Sequence, residues 1–255
     1  MSQHAVAYYK SILSVGTLQQ LTPVPDPTVT IDGNDLNVPA TYNQLVKALH
    51  LPGNANASRA QLQSPSLRAL FFPDLSPYAA ANNDDFPGLA VNLSDNPIQL
   101  VTNEGLEFWS DGGGNGTSAA NVYGLAFLSD GALVKSGGKM FTVRATTAIQ
   151  AALAAYAAGA LTFDQTLPVG TYDILGMRVE ALGCVLGRLI FIGSSAITRP
   201  GVPGCSAAGV AGDTLFRYGN SGILGTFIST NPPSLEILGG TTTAQVVYLD
   251  LIKRA

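Results

Sequence analysis

Histidine is the side chain best suited to moving protons near neutral pH, and this chain of 255 residues has two, His4 and His50. A Ser-His-Asp or Cys-His arrangement would have to use one of them, and no Gly-x-Ser-x-Gly elbow accompanies either. Gly137-Gly138-Lys139-Met140 looks superficially like a phosphate loop. Leu133 occupies the position of its required first glycine, however, and Met140 stands where a Ser or Thr would hold magnesium. Gly112-Gly113-Gly114-Asn115-Gly116 lacks the dinucleotide spacing and reads as a flexible hairpin tip. Cys184 and Cys205 are too few for a disulfide framework or a metal site. They read as two small buried apolar residues.

The acids are densest at Asp84, Asp85, Asp95, Glu104, Glu107 and Asp111. A pair of them could cleave a glycoside, but most lie beside Gly, Asn or Pro, where acids commonly form turns. A calcium ion held by Asp84, Asp85 or Asp111 would need about six to eight converging oxygens, and no loop here has ordered ligand spacing. Trp109 and the nearby tyrosines could form a sugar platform; cross-strand packing is their ordinary use. The expected inventory is therefore no catalytic residue, no cofactor-binding residue and no metal ligand.

Charge is the unusual feature of the composition. Asp, Glu, Lys and Arg make up 12% of the residues, against about 25% in ordinary soluble domains. Mean hydropathy is +0.24, yet no run of about eighteen apolar residues marks a transmembrane helix. A chain so poor in charge is expected to hide much of its exterior against neighbours, as interface cores do. The net charge is −4 and no basic tract is present, so direct nucleic-acid binding is not expected. Met1-Ser2-Gln3-His4 lacks the basic start and long apolar stretch of a signal peptide, and a cytoplasmic site of synthesis is expected.

The elements that must carry these residues are mostly short strands. Gly, Pro, Asn and Asp separate β candidates at residues 67–72, 88–93, 98–102, 106–109 and 121–128, and again at 141–143, 170–179, 188–192, 214–218, 223–228, 234–238 and 244–252. Three helices are expected among them. Ala5, Tyr8, Tyr9, Ile12 and Leu13 suggest one over 2–14. Pro39 followed by Leu45, Val46 and Leu49 suggests a second, ending before Pro52-Gly53. A run of strong helix formers suggests a third over 146–158, stopped by Gly159.

The two halves also resemble each other. Leu36 to Leu49 has an echo in Phe141 to Leu153, Arg68 to Phe72 in Arg188 to Ile192, Ser94 to Leu100 in Ser229 to Leu235, and Val122 to Leu128 in Val247 to Ile252. The offsets are unequal, as loop insertions would make them. This predicts an all-β chain of two tandem sandwiches with one helix per repeat. The expected divisions are an N-terminal arm and Pro-rich linker at 1–28, a first sandwich at 29–133 and a second at 134–255.

On this repeat, and on phrases such as Gly187-Arg188-Leu189-Ile190-Phe191 and Val246-Val247-Tyr248-Leu249-Asp250-Leu251, the chain resembles the double jelly-roll major capsid proteins of tailless icosahedral viruses. That lineage includes adenovirus hexon and the membrane-containing bacteriophages. The resemblance implies two tandem jelly rolls in a non-enzymatic, structural subunit of a virion, a capsid protein assembled in the host cytoplasm. Its implied partners are two further copies in a homotrimer that imitates a hexagon, then neighbouring capsomers and minor capsid proteins, and an internal membrane reached by the N-terminal arm. No cofactor is implied. Two other readings stay open: a carbohydrate- or receptor-binding β-sandwich such as a virion spike, with Trp109 as platform, and a jelly-roll glycoside hydrolase using the acids between Asp84 and Asp111.

Overall fold

The computed structural model describes residues 3–14, 16–51, 59–70, 74–75, 91–93, 95–131, 137–150, 152–181, 183–193, 198–204, 223–239 and 244–254. Asp84, Asp85, Cys205 and the strand expected at 214–218 lie outside them. The chain divides into two compact units, Val6–Asp130 and the combination of Met1–Ala5 with Gly131–Ala255. They are called the first and second units here.

The second unit is a sandwich of two antiparallel sheets. One has the order Thr162–Phe163, Met140–Thr147, Gln245–Lys253, Thr171–Glu180, Gly225–Ile228; the other runs Ala157–Ala160, Ser234–Gly239, Cys184–Ile190, Gly201–Pro203. With its principal strands counted one to eight in chain order, the sheets read one-eight-three-six and two-seven-four-five. In the first unit the corresponding strands are Gln3–Ser14, Asp35–Asn37, Gln44–Leu51, Ala60–Gln63, Asp74–Leu75, Ile98–Gln99, Gly105–Ser110 and Asn115–Ser129, and their sheets have the same two orders. Position two is shared there by Gln19–Gln20, which lies on the same Gly105–Ser110 strand.

Smaller features repeat as well. The backbone passes from one sheet to the other through buried Leu21, between Gln19–Gln20 and Thr22–Pro23. Leu161 does the same between Ala157–Ala160 and Thr162–Phe163. Strand three carries a β-bulge against strand eight in both units. Leu45 pairs with Leu128 and Lys47 with Phe127, which leaves Val46 without an opposite residue; Leu175 is left over in the same way between Ile174 and Gly176.

The bulge explains why residues 44–51 look helical in sequence. An extra residue reverses the in–out alternation of a strand, so the core positions Leu45 and Ala48 fall three apart, a helix-like spacing. The strand Gln44–Leu51 replaces the predicted helix. Gln3–Ser14 is also a strand, and Val6, Tyr8 and Ile12 reach the core with the even spacing of one sheet face. From Val6 onward it is strand one of the first unit, not an arm beyond the repeat. The helix predicted over 146–158 is absent because its backbone is taken elsewhere. Gln245 accepts from Ile149 N–H at 2.8 Å and donates to its carbonyl at 3.0 Å, and Ala157–Ala160 joins Ser234–Ile237. A ladder of this kind outweighs alanine's intrinsic helix preference of a few tenths of a kcal/mol per residue.

Among the described residues the one α-helix is Pro65–Leu70, where a strand was expected. Ser64 caps it by accepting from Leu67 N–H at 3.1 Å, and Pro65 fills the first position, where no N–H is needed. The repeat is real in strand order but differs in register from the sequence echoes. Met140–Thr147 corresponds to Gln3–Ser14, not to residues 36–41. Only the echo of Val122–Leu128 in Val247–Ile252 falls on equivalent strands.

Each unit fills its interior separately. Tyr172, Ile174, Met177 and Val179 meet Leu189, Leu235 and Ile237 in the second unit; Tyr8, Leu45 and Ala126 meet Leu62, Leu106 and Phe108 in the first. Each large side chain so buried contributes about 1.5–3 kcal/mol. Space is tight enough to require glycine at 124, where a Cβ would stand 2.5 Å from the Phe108 ring. Cys184 is buried in the second core.

Candidate functional site

Three of the acids that could have served hydrolysis, Glu104, Glu107 and Asp111, have structural tasks. Glu104 is buried and accepts from Ser66 N–H at 3.0 Å, Ser66 Oγ at 2.9 Å, Ser64 Oγ at 3.2 Å and Val101 N–H at 3.0 Å. One carboxylate thus completes the helix start and closes the turn after Val101, where Asn103 adopts φ 65°. Glu107 accepts from the Trp109 indole N–H at 2.7 Å. Asp111 accepts from Arg59 through its backbone N–H and its Nε, the latter at 2.9 Å. Asp95 is exposed in a turn. Among the described residues no three His, Cys, Asp or Glu groups converge as a metal site would need, and no helix is long and apolar enough to cross a membrane.

His50 does meet a serine, and an acid follows it in sequence. Its Nε2 lies 2.8 Å from Ser110 Oγ, which also accepts from Gly112 N–H at 2.9 Å. The contact runs between the two sheets of the first unit, since His50 is on Gln44–Leu51 and Ser110 on Gly105–Ser110. Both are sealed: His50 is 1% exposed and Ser110 0%. The neighbouring Asp111 carboxylate is engaged with Arg59, so it does not complete a triad. Burial lowers the His50 pKa from 6.5 to about 4 against the opposing pull of the Asp111 charge. A neutral, inaccessible imidazole beside Phe108 clamps two sheets together; it has no route to a substrate.

The outer face of the Gly105–Ser110 sheet is different. Leu106 and Phe108 point into the core, so alternation sends Glu107 and Trp109 outward. Pairing sets Trp109 opposite Gln20 on one side and Gln61 on the other, and sets Glu107 opposite Gln63. All five side chains are partly exposed. They are also tied down: Gln63 Nε2 donates to Gln61 Oε1 at 2.8 Å, and Gln20 Nε2 to Asp35 Oδ1 at 2.7 Å. Tyr8 and Tyr9 lie elsewhere than beside Trp109. Tyr8 faces the core and donates to the Leu106 carbonyl at 3.0 Å, while Tyr9 packs on Tyr123 with ring centroids 5.1 Å apart. The partners of Trp109 are glutamines, and sequence reasoning missed them because they lie on separate strands.

A second polar constellation sits inside the second unit. Arg188 is 0% exposed. Its Nε donates to Glu236 Oε2 at 2.9 Å, its Nη2 reaches the same oxygen, and its Nη1 donates to the Ala5 carbonyl at 2.8 Å. The guanidinium lies 3.6 Å from the centre of the Tyr156 ring, within cation–π range. Ala5 N–H donates to the Arg199 carbonyl at 2.9 Å. These contacts fasten the start of the chain to the unit made by its end. The outward row Arg144–Tyr248–Arg178, set by pairing on strands one, eight and three, carries salt bridges to Asp164 and Glu180.

No family model matches the chain, and no curated protein matches it either. A solved structure to which it is similar is a capsid protein. That structure is the major capsid protein P2 of bacteriophage PM2, 12% identical over 97% of each chain, with a TM-score of 0.24.

Proposed function

We propose that the chain is a major capsid protein, a building block of an icosahedral virion in which each unit serves as one jelly roll. The observation that carries the reading is the strand order itself. The two orders one-eight-three-six and two-seven-four-five, which occur in both units, are those of an eight-stranded jelly roll of two interlocked Greek keys. Repetition of the strand-three bulge supports descent of both units from one copied segment. A chain with two such units lets three copies present six similar sandwiches, so a threefold assembly tiles like a sixfold one.

Surface chemistry supports burial against neighbours. Large apolar side chains stand open at Val169 (81%), Ile192 (67%), Val101 (62%) and Ile228 (53%) in a chain with little charge. Exposed apolar groups of this kind mark association surfaces when they gather. Homotrimers, neighbouring capsomers and minor capsid proteins are the proposed partners, the virion is the proposed location, and the role is structural and not enzymatic. Residues 3–14 are used as strand one, so an arm reaching an internal membrane forms no part of the proposal.

Light scattering and electron microscopy of the purified chain test it. The expected result is a trimer at micromolar concentration, with threefold particles of hexagonal outline or larger tiles of them. A chain that stays monomeric through the millimolar range refutes the reading.

A further inference from the structure

We propose that the outer face of the Gly105–Ser110 sheet in the first unit binds a neutral glycan, with Trp109 as the stacking surface. A pyranose has one face of C–H groups and a rim of hydroxyls that donate and accept. The first needs a flat apolar partner with a polar edge, which an indole provides. The second needs groups with both a donor and an acceptor, which a primary amide provides. Pairing places an amide on each side of the indole, Gln20 and Gln61, with Gln63 and Glu107 in the adjoining row.

Three observations separate this face from an ordinary polar sheet surface. Trp109 is outside the core cluster of its unit, so the sandwich is filled without it. Its N–H is held by Glu107 at 2.7 Å, which fixes one edge of the ring to its own strand. Gln61 and Gln20 are each held by a second side chain at 2.8 Å or less. Groups ordered before binding lose little freedom when a ligand arrives. Charge selects the class of sugar. Glu107 holds the indole N–H and Asp35 holds Gln20 beside it; among the described cations at this end, Arg59 is neutralised by Asp111 and Lys10 donates to the Gln20 backbone carbonyl at 3.1 Å. An acidic sugar would meet like charge, so the fitting ligand is uncharged.

Trp109 is the only tryptophan in the chain, so its fluorescence reports this face alone. The full chain is titrated with maltotriose, cellotriose and lactose, with sialyllactose as the anionic comparison. The expected result is a saturable change of emission with at least one neutral sugar, at a Kd of about 1 mM. Bound sugar also shields the indole from acrylamide quenching. Gln61→Ala and Gln20→Ala each weaken that binding about tenfold, the equivalent of one hydrogen bond, and leave the unfolding transition unchanged. The proposal is overturned if none of the three neutral sugars gives a saturable response, if both glutamine variants retain it, or if sialyllactose alone produces it. None of these outcomes depends on the assembly state, so the test stands apart from the capsid reading.

Discussion

Acid should loosen the first unit through His50, and the size of the effect follows from its surroundings. In the folded chain the imidazole is enclosed, with Nε2 on Ser110 Oγ, Phe108 beside it, and the Asp111 carboxylate turned to Arg59. Its pKa falls from 6.5 to about 4, chiefly by burial. The unfolded chain therefore takes up a proton below pH 6.5 that the folded chain refuses until about pH 4. Above the unfolded value both states are neutral and His50 contributes no pH dependence. Between the two values stability is lost as pH falls, and below the folded value the loss levels off. Two and a half pH units at about 1.4 kcal/mol each give about 3 kcal/mol in all, of which about 2 is gone by pH 5. Gln at position 50 can keep the bond to Ser110 without titrating. Denaturant unfolding of the wild type and of His50→Gln from pH 7.5 to 4.5 isolates the residue, because ordinary carboxylates titrate alike in both. The difference in stability should shrink, or reverse, by about 2 kcal/mol towards pH 5. Parallel pH profiles for the two proteins would refute the argument.

Two further perturbations probe the second unit. Arg188→Ala leaves the Glu236 carboxylate, itself buried, without its main partner, and should cost about 3–5 kcal/mol in chemical denaturation. The double change Arg188→Met with Glu236→Leu should recover much of that loss, since the buried ion pair itself contributes little net stability. Gln245→Leu removes both hydrogen bonds to the Ile149 backbone. It should lower stability by about 2–4 kcal/mol and speed amide exchange at Ile149 by at least tenfold, measurable by hydrogen–deuterium exchange.

The residues of the candidate glycan face show where sequence reading stops. Trp109 is conspicuous as a lone tryptophan, and alternation with Phe108 places it outward. Its neighbours Gln20 and Gln61 lie 89 and 48 positions away (109 − 20 and 109 − 61) on strands of two and four residues. Nothing in such short segments announces a register. The His50–Ser110 clamp was hidden for the same reason, and because residues 44–51 look helical once Val46 shifts their alternation. Residues 141–143 and 234–238, by contrast, stand out as strands, and the structure extends them to Met140–Thr147 and Ser234–Gly239.

The amino-acid string by itself settled that this is a mostly β chain with little charge, since those properties are local or additive: turn residues, apolar runs and counts of side chains. Tertiary structure alone decided which strands are partners, that Gln3–Ser14 opens the first sandwich, and that Ala5 is held by Arg188 and Arg199 near the other end of the chain. Hydrogen bonding between strands is blind to separation along the backbone. A bulge of one residue changes which side chains face inward, and only the assembled sheets reveal where it lies.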